Sequence, residues 1–156
     1  MNPISLKEIA DRLDCLMDDW RYYLNIKTGE IVEIQTEYLS IAEDSEDDDD
    51  FSEYKDWEQD SIRDAVMVLE NWDDFVELPD KREVNEYEIM ENFCYSQEDD
   101  KLRNKLCNAI AGRGAFRRFK DLVDQFGLEN QWYAYKDEAL CEIARDWCEF
   151  NNIQYK

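Results

Sequence analysis

The run Trp20-Arg-Tyr-Tyr-Leu-Asn-Ile26 constrains the fold more than any other stretch of the chain. Trp20, Tyr22, Leu24 and Ile26 recur at the two-residue period of a strand with one buried face. Lys27-Thr28-Gly29-Glu30 then reads as a turn, and Ile31-Val32-Glu33-Ile34 as the returning strand. A lone hairpin is marginal in water, so this one needs a third strand and a covering layer. Phe75-Val76-Glu77-Leu78, stopped by Pro79, is the segment that can join it.

Nearly everything else has the period of helices. Ser5 with Glu8 forms a capping pair, Ile4 and Ile9 a hydrophobic staple, and Leu13, Leu16 and Trp20 continue the apolar stripe. A short helix is expected over Gln35–Ala42. A longer one is expected over Trp57–Asn71, burying Ile62, Ala65, Leu69 and Trp72. Asn85 with Glu88 caps a further helix, stapled by Val84 and Ile89, and Ser96 with Asp99 opens another that runs to Gly112. A helix over Phe116–Phe126 places Phe116, Phe119, Leu122, Val123 and Phe126 on its buried side. Gly127-Leu128 supplies its stop. The last helix covers about Gln131–Phe150, with Trp132, Leu140, Ile143, Ala144 and Trp147 inward. The fold class is therefore α+β: a small antiparallel sheet of about three strands in the N-terminal half, packed with helices, and a mostly helical C-terminal half. Length is consistent with one domain over 1–156.

Composition narrows the chemistry. With no histidine in the chain, Ser-His and Cys-His nucleophilic machinery is excluded. The five cysteines are widely spaced, without a C-x-x-C pair, and read as small apolar packing in a reducing compartment rather than as zinc ligands. Neither a membrane span nor a signal peptide is recognisable, so a cytoplasmic location is expected. No cofactor is implied, and a non-enzymatic role is favoured.

Charge carries the functional expectation. Net charge is −22, and residues 1–80 hold 25 acids against 6 bases. The densest run is Glu43, Asp44, Glu46, Asp47, Asp48, Asp49 and Asp50, broken only by Ser45; like charges at this density predict a mobile, solvated loop over 43–55. The run lacks the glycine and the distant glutamate of a calcium loop, so it is read as a partner-binding surface. Such a field repels nucleic acid and membranes and attracts a basic protein surface, in one form by nucleic-acid mimicry.

One stretch breaks the pattern: Gly112-Arg113-Gly114-Ala115-Phe116-Arg117-Arg118-Phe119-Lys120. Two arginines at a helix start oppose the local dipole, so something else must hold them there. Three readings compete: internal pairing with the chain's own carboxylates, a small-anion or nucleotide site, and contact with nucleic acid. The first is favoured. In the second, Arg113, Gly114, Arg117, Arg118 and Lys120 are the candidate anion-binding residues; the third conflicts with the chain's own negative field. Trp132-Tyr133-Ala134-Tyr135-Lys136-Asp137-Glu138 is a second dense patch, read as a core edge in preference to a ligand wall.

Several of these pieces carry a resemblance. Tyr23-Leu24-Asn25, Thr28-Gly29-Glu30, Trp57, Glu77-Leu78-Pro79-Asp80 and Glu86-Tyr87 precede the Gly112–Asp121 block. Trp132-Tyr133, Asp137-Glu138-Ala139-Leu140, Ile143-Ala144 and Trp147 follow it. In these blocks the chain resembles a bacterial group catalogued as uncharacterised protein family 0158. The resemblance implies a small soluble protein with no assigned reaction, so no catalytic residue carries over. It also places the basic stretch within a family pattern.

Overall fold

A computed structural model describes residues 3–156. Among them the chain forms α1 (Leu6–Leu13), β1 (Trp20–Asn25), β2 (Ile31–Gln35), α2 (Thr36–Asp44), α3 (Asp56–Glu70), β3 (Phe75–Glu77), α4 (Glu86–Tyr95), α5 (Asp100–Ala109), α6 (Ala115–Gln125) and α7 (Glu129–Phe150). A single 3-10 turn at Trp72–Asp74 leads into β3. The architecture is α+β, with a three-stranded sheet of order β2-β1-β3 and every pairing antiparallel. The hairpin forms in the expected place, and the segment before Pro79 does join it.

The central strand is buried on both faces, which alternation alone does not predict. Tyr22 and Leu24 point into a large core shared with α1 and α4 to α7. Tyr23, between them, points the other way, into a second core built from Ile34 and from Tyr38, Leu39, Ile62, Ala65 and Val68 of α2 and α3. The sheet is thus the middle of three layers. A polar anchor ties α7 to the sheet, the Trp147 indole donating to the Glu77 carbonyl at 3.0 Å, and the Leu78 amide extends the β1–β3 ladder by donating to the Tyr22 carbonyl at 2.8 Å.

Local capping follows the sequence closely at several ends. Asn85 accepts from the Glu88 amide at 3.1 Å, and Ser5 from the Glu8 amide. At the end of α6, Gly127 adopts φ 66°, the Leu128 amide reaches the Val123 carbonyl at 2.8 Å, and the Gly127 amide reaches Asp124. That is a Schellman closure, satisfying carbonyls the helix would otherwise leave open.

Other details depart from expectation. Ser96 does not open α5; its hydroxyl bonds back to the Phe93 carbonyl at the end of α4, and Asp99 alone is the N-cap. Trp72 is 53% exposed, because the turn after α3 swings it outward onto the edge of Tyr23, and Val68 takes the buried place. Phe116 and Phe126 are also exposed, and the Lys105 ammonium lies over the Phe126 ring at 5.4 Å from its centre. Ile143 is half-buried. Among the described residues, no helix is long and apolar enough to cross a membrane.

Candidate functional site

The corner between α5 and α6 explains why arginines stand at a helix start. Gly112 and Gly114 both take positive φ, 77° and 76°, which reverses the chain within a few residues. At Gly114 a Cβ would meet Arg118 Nη1 at 3.1 Å, so the glycine also leaves room for that side chain. The Arg118 guanidinium then donates to three main-chain carbonyls: Nε to Ala109 at 2.7 Å, Nη2 to Ala111 at 2.7 Å and Nη1 to Arg113 at 2.5 Å. Ala109 is the last residue of α5, whose terminal carbonyls lack partners within the helix. Arg118 is therefore at the wrong end of α6 and the right end of α5, where positive charge is favoured. Its partners are carbonyls, not the carboxylates expected from the charge balance.

Three cations of the same stretch are left over. Arg113, Arg117 and Lys120 are exposed, and among the described residues none forms an ion pair. The intrahelical partners Asp121 and Asp124 are not engaged. Of the five candidate anion-binding residues, Arg118 and Gly114 thus build the corner, and Arg113, Arg117 and Lys120 face solvent.

Beside the corner lies a recess of 220 Å³ lined by Glu86, Ile89, Phe116, Phe119, Lys120, Trp132 and Lys136. Its wall is a rigid aromatic cluster: Phe119 and Trp132 meet edge-to-face at 4.8 Å, and Phe93 packs against both at 5.9 and 5.2 Å. Phe116 and Lys120 are one turn apart on α6, as are Trp132 and Lys136 on α7, so each helix offers an aromatic ring and an ammonium on one face. Lys136 is tied to Asp14 at 2.7 Å. The Trp132–Glu138 patch is therefore partly a wall, through Trp132, and partly a strut, through the Asp137 bridge to Lys7 at 2.8 Å. The signal that exposes this recess in sequence is the repeated aromatic-x-x-x-Lys spacing.

On the other face of the sheet, α2, α3 and their connections carry the acids. Residues 36–74 contain sixteen acidic side chains and two basic ones, Lys55 and Arg63. Glu43, Asp44, Glu46, Asp47, Asp48, Asp49 and Asp50 are all exposed. Their loop is nevertheless anchored: Phe51, at φ 56°, is buried in the second core. Asp49 accepts from the Phe51 amide at 3.1 Å and Asp50 from the Ser52 amide at 3.0 Å, which holds the Asp50 carboxyl below its ordinary range. Trp57, 59% exposed and edge-on to Tyr38, and Trp72 stand at the two ends of α3 in the same layer. The helical period alone places Trp72 inside, and no local signal marks Trp57 as a surface residue.

Burial pushes the Cys94 thiol up to about 12 and the Cys148 thiol up to about 11, which removes their nucleophilic form near neutrality. Among the described residues, no group of three metal-ligating side chains converges.

Fold and surfaces together define a small three-layer α+β protein with an acidic helical layer on one face and a largely helical body, bearing a glycine-arginine corner, on the other. The chain belongs to the uncharacterised protein family UPF0158, whose model matches residues 1–156. A UPF0158 protein of Pseudomonas aeruginosa is 37% identical over 67 residues, covering 42% of this chain and 44% of that protein; the match thus spans less than half the relative's length. No solved structure matches.

Proposed function

We propose that the α2–α3 layer is a docking surface for a basic protein partner and that the molecule acts by binding rather than by catalysis. The observation that supports this most is the coincidence of charge and aromatic surface. Sixteen acids lie in one layer, with Trp57 and Trp72 exposed at either end of its main helix. Acids alone serve solubility; exposed tryptophans are costly in water and are the residue type that anchors interfaces. Carboxylates supply long-range attraction and the rings supply desolvated contact. Nucleic-acid mimicry is the special case in which the partner's basic surface ordinarily binds phosphates.

The experiment is affinity capture with the wild type and with the triple variant E46Q/D47N/D48N. These three carboxylates make no hydrogen bond or ion pair among the described residues, unlike Asp49 and Asp50, so the fold is spared. The proposal expects a captured protein of high pI, released by salt and lost with the variant. Equal capture by both proteins contradicts it.

A second reading rests on one observation, the three unpaired cations Arg113, Arg117 and Lys120 around the start of α6. There a small anion would meet free helix amides and positive side chains. Titration with phosphate and nucleotides, read by thermal shift, tests it; no stabilisation at millimolar ligand sinks it.

A further inference from the structure

We infer that the recess between α6 and α7 binds a small aromatic carboxylate, with its ring against Phe116, Phe119 and Trp132 and its anionic group on Lys120. The site lies on the opposite side of the sheet from the acidic layer and stands independently of that proposal. Its volume, 220 Å³, is below the range of about 300–1,000 Å³ typical of drug-sized ligands and above the roughly 150 Å³ in which benzene fits. One ring with a short arm is the matching size.

The lining supplies a complement for each part of such a ligand. Trp132 and Phe119 are buried and locked edge-to-face, so the apolar wall is formed before any ligand arrives. Phe116 is 41% exposed although it lies on the same helix as the buried Phe119, leaving an apolar surface that a flat ring would cover. Lys136 is committed to Asp14, whereas Lys120 has no ion-pair partner among the described residues and is free to take a carboxylate. Glu86 adds one acceptor to the lining, suited to a hydroxyl or ammonium on the ligand's arm. With Lys136 neutralised by Asp14, Lys120 is the cation of this lining that an incoming carboxylate would meet.

The test is titration of the full chain with benzoate and with 3-phenylpropanoate, read by calorimetry and by the Trp132 indole resonance. Acetate serves as the ring-free control and benzyl alcohol as the uncharged one. Saturable binding of both aromatic acids is expected, with acetate and benzyl alcohol each at least about tenfold weaker. Lys120→Gln and Phe116→Ala, both at exposed positions, should each weaken benzoate by about tenfold, and Arg117→Gln should leave it unchanged. Acetate binding as tightly as benzoate, benzyl alcohol matching it, an unaffected Lys120→Gln variant, or no saturation with either acid overturns the inference.

Discussion

Arg118 of α6 donates its Nε–H to the carbonyl of Ala109, the last residue of α5, at 2.7 Å, and so closes one helix from the first turn of the next. Two further carbonyls, Ala111 and Arg113, receive the rest of the guanidinium fork. One residue thereby fixes the angle between α5 and α6, and with it the position of Phe116 and Lys120.

Removing that fork should be costly where removing its neighbour is not. Hydrogen bonds to charged groups contribute about 1.5–3 kcal/mol each when well formed, less where the groups stay wet as here. Arg118→Ala is expected to lose about 2 kcal/mol in urea unfolding, and Arg117→Ala to stay within about 0.5 kcal/mol of the wild type. Gly114→Ala, at φ 76° and crowding Arg118, should cost about 1–2 kcal/mol. Equal effects at Arg117 and Arg118 would show that the carbonyl contacts do not hold the corner.

Phe51 should be the anchor of the acidic loop. Its side chain is 7% exposed amid a run of solvated carboxylates. Phe51→Ala is expected to destabilise by about 3 kcal/mol and to open residues 45–55 to proteolysis in the native state. Resistance to protease and a loss under about 1 kcal/mol would mean that the loop is held by its Asp49 and Asp50 turns instead.

The buried thiols give stability a definite pH dependence. Cys94 and Cys148 titrate at about 12 and about 11 in the folded protein, against an ordinary 9.0, with burial as the main cause. Above the ordinary value the unfolded chain has lost these protons while the folded chain keeps them. The folded state then binds more protons, and stability falls as pH rises from about 8.5 towards 11. Tyr23 and Tyr38, also raised by burial, act in the same direction. Urea unfolding between pH 7.5 and 10 should show this fall, and a C94A/C148A variant should flatten it. Alkylation of the native protein should modify the exposed Cys15 first.

Much of this fold can be read from local sequence because its ends are locally encoded. Asn85, Ser5 and Gly127-Leu128 each name a helix end through bonds spanning a few residues, and the Trp20–Ile34 hairpin is set by alternation around a tight turn. The losses come where the partner is distant in sequence. Alternation in β1 predicts one buried face, and nothing local announces that α2 and α3 cover the other, where Tyr23 sits. Arg118 was matched to carboxylates by charge counting, since a helix terminus nine residues upstream has no signature in composition. Ser96 and Asp99 are both good caps, and only the three-dimensional path assigns Ser96 to the end of α4 and Asp99 to the start of α5. Of the candidate sites, the charges of both were legible. The exposure of Trp57 and Trp72 emerges only when helices are set side by side, whereas the Phe116–Lys120 and Trp132–Lys136 spacings stand in the sequence and only their facing one another does not.

The docking role of the acidic layer is tested most directly by titrating the 15N-labelled protein with a lysine- and arginine-rich peptide over a salt series. Resonance shifts are expected to concentrate in residues 36–74, including the indole groups of Trp57 and Trp72, with affinity falling as salt rises. Shifts spread evenly over the surface, or centred on α5–α7 and insensitive to salt, would contradict it.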